Sequence, residues 1–105
     1  MPARYVLSPE ARRDLEQIRD YYVEQAGVQV ARHVLGQITK ALRFLAETPG
    51  AGHRREDLTG ENVRFWSVLS YLIAYDPAAR PIGIARVLHA SRDLERLLKP
   101  DPPLA

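Results

Sequence analysis

The chain has 105 residues, enough for one hydrophobic core and too few for two. With 46% hydrophobic and 27% charged residues it sits in the globular range, which excludes a disordered or fibrous chain. Cysteine is absent, which removes disulfides, thiolate metal sites and thiol nucleophiles, and a net charge of +2 permits a nucleic-acid partner without demanding one. No apolar run approaches the ~20 residues that span a bilayer, and Met1-Pro2-Ala3-Arg4-Tyr5 lacks the apolar core of a secretory signal. The expected location is the cytoplasm, consistent with the missing cysteines.

The alternation from Ala3 to Leu7, around Tyr5 and Val6, predicts a short first strand. Ser8-Pro9-Glu10 then opens a helix: Ser8 caps it, Pro9 suits its first position and Glu10 complements the dipole. Ala11, Leu15, Ile18 and Tyr22 form its apolar stripe, and Gly27 stops it. A second helix is predicted from Val28 to about Glu47, with Ala31, Val34, Leu35, Ile38, Leu42 and Leu45 on one face. Two amphipathic helices with almost no loop between them form an antiparallel hairpin. Pro49 to Glu61, with three glycines and His53-Arg54-Arg55-Glu56-Asp57, reads as a loop. The period then changes to two. Strands are predicted at Val63 to Val68, Tyr71 to Tyr75 and Ile82 to Leu88, linked by Leu69-Ser70 and by Asp76 to Pro81. A brief helix from Asp93 to Leu98 follows, and Pro100, Pro102 and Pro103 end the order. The expected fold is α+β, in the order β-α-α-β-β-β, with a helical hairpin on a small antiparallel sheet and a short C-terminal helix. The whole chain, 1–105, is one domain, with an ordered core over about 3–98 and a proline-rich tail at 99–105.

Few side chains are arranged for chemistry. His33, His53 and His89 lie on separate elements with no ligand spacing, so no metal site is expected. No cofactor is expected either: Gly50-x-Gly52 follows a helix and precedes a strand, the reverse of a phosphate cradle. The arginines carry more information. Arg54 and Arg55 lie in the loop, Arg64 on the first meander strand, and Arg86 and Arg92 around the last. On a sheet face they can clamp phosphates or carboxylates; equally, Arg86 and Arg92 can pair with Asp93 or Glu95 and fix the final turn. His89 can act as an acid or base, or pack at a strand end with one backbone hydrogen bond. Strict alternation puts Phe65 and Trp66 on opposite faces, so one ring lies away from the hairpin and needs a cover or a partner.

The order of these features resembles the ParE/RelE superfamily of toxins from bacterial type II toxin–antitoxin modules. The residues that carry the resemblance run from about Ala3 to Leu98. They are the Ser8-Pro9-Glu10-Ala11 opening, the loop His53-Arg54-Arg55-Glu56-Asp57-Leu58, the strand Tyr71-Leu72-Ile73-Ala74-Tyr75, and the ending Arg86-Val87-Leu88-His89-Ala90-Ser91-Arg92-Asp93. RelE-type members cleave messenger RNA on the ribosome with basic residues of the sheet face, whereas ParE-type members poison DNA gyrase. Leu72 stands where the nuclease type carries an arginine and Trp66 where it carries a lysine; only Arg64 matches. The resemblance therefore implies a gyrase inhibitor that acts by binding, with no catalytic residue. Its target would be engaged through Arg54, Arg55, Arg86, His89 and Arg92. A cognate antitoxin would cover Leu35, Leu42, Trp66, Tyr71 and Tyr75 in a hetero-oligomeric complex, on an exposed aromatic and apolar sheet face and on the helical hairpin. The alternative is a ribosome-dependent endoribonuclease using His89, Arg92, Arg86 and Arg64.

Overall fold

The computed structural model of the chain describes residues 4–94. The expected start of the first strand at Ala3, Glu95, the leucines at 97 and 98, and the proline-rich tail lie outside the described residues.

Strand β1 (Tyr5–Leu7) leads directly into helix α1 (Pro9–Ala26). The Ser8 hydroxyl accepts the Ala11 N–H at 2.9 Å and donates to the Ala85 carbonyl at 2.7 Å, so one residue caps the helix and ties it to the last strand. Gly27, at φ 94°, ends α1 in a conformation that only glycine adopts without strain, and helix α2 (Val28–Glu47) starts at the next residue. Strands β3 (Arg64–Val68), β4 (Tyr71–Asp76) and β5 (Ile82–His89) form the predicted meander, and a helical turn opens at Arg92. Among the described residues, no helix is long and apolar enough to cross a membrane.

Two corrections concern the sheet. With a two-residue β2 (His53–Arg54), it has five strands in the order β1-β5-β4-β3-β2, and it is mixed, because β1 runs parallel to β5. Ser8 extends that pairing, donating its N–H to the Ile84 carbonyl at 2.9 Å. The segment read as loop also contains β2 (His53–Arg54), antiparallel to β3. Two residues carry too little period to be legible as a strand; pairing with a formed neighbour makes them one.

The hairpin covers one face of the sheet. Ile38, Leu42 and Leu45 pack there against Tyr71, Ile73, Tyr75, Ile84 and Val87. The other face buries Phe65, Leu72 and Ala74 beneath Leu58, Val63 and Leu94. Phe65 is thus the ring pointing away from the hairpin, and the supposed loop supplies its cover. Trp66 faces α2 and lies 5.2 Å, centroid to centroid, from Phe44. A bulge between Ala74 and Tyr75 adds Ala85 to β5. Ile82 and Ile84 face the hairpin before it and Val87 after it, so the alternation flips within one strand.

Candidate functional site

The polar residues gather where β5 outruns β1. Pairing with β1 stops at Ile84, and the second half of β5 has side chains in place of a neighbouring strand. Asp14, on α1, accepts the Val87 N–H at 2.9 Å through Oδ2. Both of its oxygens also receive Arg86, at 2.8 Å from Nε and 3.0 Å from Nη2. Asp93 accepts the His89 N–H at 2.7 Å. Two carboxylates therefore satisfy successive outward N–H groups of one edge, which would otherwise be open to another strand. The Asp14 carboxylate raises the Arg86 pKa, chiefly through the hydrogen bonds.

His89 anchors the turn that follows. Its Nδ1 lies 3.2 Å from the Arg92 N–H and 3.4 Å from the Ser91 N–H, acting as acceptor for both. That role places the proton of the neutral ring on Nε2. Tyr71 meets the imidazole edge to face at 5.5 Å. Beside this turn, α1 and the sheet enclose a cavity of about 300 Å³ lined by Asp14, Gln17, Tyr21, Tyr71, Arg92 and Asp93, among others. Burial, and then the Tyr22 hydroxyl 3.5 Å away, push the Tyr71 phenol far above its ordinary range. The Tyr75 phenol is pushed up by burial as well. Its hydroxyl accepts the Gly52 N–H at 2.8 Å and donates to the Pro49 carbonyl at 2.6 Å. A Cβ on Gly52 would come within 2.5 Å of that oxygen, so this glycine is required by close packing.

The arginines do not converge as one set: Arg86 and Arg92 lie near Asp93, while Arg54, Arg55 and Arg64 lie across the sheet. Arg86 pairs with Asp14 and not with Asp93; Glu95, the other partner expected from the sequence, lies outside the described residues. Arg64 donates to the Gly52 carbonyl at 2.8 Å and so holds β2 to β3. Arg55 forms a bidentate pair with Asp57 that holds the Asp57 carboxyl below its usual range. Arg54 is exposed on β2, and Arg92 approaches Asp93 at 3.8 Å. Arg64 lies opposite Tyr75, which lies opposite Ile84, five residues before His89. At ~3.3 Å per residue, Arg64 and His89 are separated by roughly 16 Å along the strands. Arg54 and Arg92 belong to opposite edges of the sheet.

The expectation of an exposed aromatic and apolar sheet face is corrected. Leu42, Tyr71 and Tyr75 are core residues, at 1%, 3% and 0% exposure, and offer no surface to a partner. Leu35 and Trp66 are half-buried and do reach the surface. Sequence reasoning overlooked Asp14. Its signal was present, because Asp14 follows Ala11 by three residues and precedes Ile18 by four, which puts a carboxylate on the core-facing stripe of α1.

A family model described as the ParE toxin of the type II toxin–antitoxin system parDE matches residues 5–94. A Mycobacterium tuberculosis protein named Toxin ParE1 is 31% identical over 99 residues, spanning 93% of this chain and all of the relative. A Caulobacter vibrioides protein of the same name is 33% identical over 87 residues, 83% of this chain and 88% of the relative. A solved structure titled as the chromosomal ParDE system from P. aeruginosa superimposes with a TM-score of 0.73 at 20% identity. It covers 86% of this chain and 98% of its own. At that identity the likeness concerns the fold.

Proposed function

Because the chain belongs to the ParE toxin family of type II toxin–antitoxin systems, we propose that it arrests growth by binding DNA gyrase, and that a cognate antitoxin neutralises it. The observation that carries the binding mechanism is the dispersal of the cationic side chains. Phosphoryl-transfer catalysis needs several charges fixed around one reacting group. Of the nuclease candidates, Arg86 is held by Asp14, Arg64 by a backbone carbonyl, and His89 by the turn it caps. Leu72 and Trp66 add no charge where a nuclease would need it. The chain acts as a single domain in the cytoplasm, where both partners are made. Arg92 forms the target-facing part of the C-terminal turn that His89 anchors, with Arg54 and Arg55 as a separate contact across the sheet. The antitoxin contacts the surface at Leu35 and Trp66.

The test is induced expression in a bacterial host without the antitoxin, following DNA breakage and the SOS response beside messenger-RNA integrity. Growth arrest with broken DNA and intact transcripts is expected. Rapid transcript cleavage with intact DNA would overturn the proposal in favour of a ribosome-dependent nuclease.

A further inference from the structure

The cavity beside the C-terminal turn has an apolar base and a polar rim. Gln17, Ile18 and Tyr21 follow Asp14 by three, four and seven residues, so one face of α1 forms its first wall. Tyr71, Val87 and Arg92 line it from the sheet and the turn. Ile18 and Val87 are buried and supply the base. On the rim, both carboxylates are already engaged. Asp14 receives two hydrogen bonds from Arg86 and one from Val87, and Asp93 receives the His89 N–H.

What remains unengaged is a set of donors. Among the described residues, neither the Arg92 guanidinium nor the Gln17 amide has a hydrogen-bond partner, and Arg92 Nε approaches Asp93 only to 3.8 Å. Tyr71 is 3% exposed, yet its hydroxyl meets only the Tyr22 hydroxyl, at 3.5 Å. O–H···O bonds normally close to ~3.0 Å or less, so this buried donor is loosely held. Burial raises the Tyr71 pKa most and the Tyr22 hydroxyl next, while the Arg92 charge lowers it, so guanidinium and phenol act on the same space. The phenol therefore keeps its proton at neutral pH and stays a donor. The charges around the cavity cancel, Asp14 against Arg86 and Asp93 against Arg92.

We propose that this cavity binds a small monocarboxylate with a compact apolar body. Arg92, the Tyr71 hydroxyl and Gln17 hold the carboxylate, and the body rests on Ile18 and Val87. A planar carboxylate suits the guanidinium fork and accepts the remaining hydroxyl as well. A phosphate dianion is the poorer ligand, because its second charge finds no free cation in the lining and two carboxylates stand nearby. The volume, about 300 Å³, lies at the lower end for ligand pockets and limits the ligand to a small molecule. The site belongs to the free chain and stands apart from the gyrase and antitoxin reading.

Titration of the full chain with benzoate, followed by NMR without gyrase or antitoxin, tests this directly. Saturable millimolar shifts are expected at Gln17, Tyr71 and Arg92, with phosphate at equal ionic strength binding at least about tenfold more weakly. Tyr71→Phe keeps the ring and is expected to weaken benzoate about fivefold, the worth of one hydrogen bond. Arg92→Gln removes the charge-assisted contact and is expected to weaken it about tenfold or more. Arg32→Gln, on α2, which lines no part of the cavity, is expected to bind as the parent does. The absence of saturable shifts, unchanged affinity in the Tyr71 and Arg92 variants, or phosphate binding as tightly as benzoate would overturn the proposal. A glutamate-containing peptide that displaced benzoate at lower concentration would overturn it in favour of a protein ligand. None of these results would touch the gyrase reading.

Discussion

The two faces of the sheet are both buried, yet by different means. Under the hairpin, two helices of 18 and 20 residues close over β4 and β5, so the contacts are rigid on both sides. On the opposite face, Phe65, Leu72 and Ala74 are covered by single residues from an irregular segment and from the C-terminal turn. The hairpin face had a legible periodicity because each helix must present a whole stripe. The far face had none, because its cover is assembled one residue at a time. The lesson is that a face can be fully buried and still be thinly held.

A matched pair of substitutions measures that difference. Leu45→Ala, fully enclosed by the hairpin, is expected to destabilise by about 4 kcal/mol. Leu72→Ala, under the lighter cover, is expected to cost about 2 kcal/mol, since the site can collapse around the smaller side chain. Urea unfolding of both variants decides it, and equal losses would erase the distinction between the faces.

The next effect concerns the edge that α1 closes. Asp14→Ala should cost about 2 kcal/mol, because it strands both the Arg86 guanidinium and the Val87 N–H. Arg86→Ala should cost nearer 1 kcal/mol, as its side chain is 41% exposed and the Asp14–Val87 bond survives. If both variants lose the same amount by denaturant titration, the ion pair and not the edge closure is what holds α1 to β5.

Alkaline pH sharpens the comparison from the hairpin side. Tyr71 and Tyr75 have folded pKa values raised above the unfolded value, so their contribution is complete below about pH 10 and is lost as pH rises beyond it. Each group that stays protonated in the fold while the unfolded chain ionises contributes a slope of at most about 1.4 kcal/mol per pH unit. Thermal unfolding between pH 9 and 11 should show a steep decline, and Tyr71→Phe should flatten it. A slope unchanged in that variant would assign the decline to other groups.

The smallest expected effect is at His89. Removing an acceptor that caps a turn should cost about 1 kcal/mol or less. His89→Ala should nevertheless leave growth arrest intact in the induced-expression assay. Loss of toxicity at retained stability would make His89 a functional residue in its own right.

The local elements were determined by the sequence itself. Ser8-Pro9 placed the start of α1, Gly27 its end, and the change of period after Glu61 the three meander strands. Each of these signals is contained within a few residues, so no neighbour is needed to read it. The parallel docking of β1, the flip of alternation at Ala85 and the burial of Tyr71 and Tyr75 were decided by tertiary structure. The same holds for the capture of Arg86 by Asp14, 72 residues away in sequence. An arginine on a strand looks equally fit for a phosphate or for a carboxylate. Only the packing of α1 along the β5 edge brings the carboxylate that removes the choice.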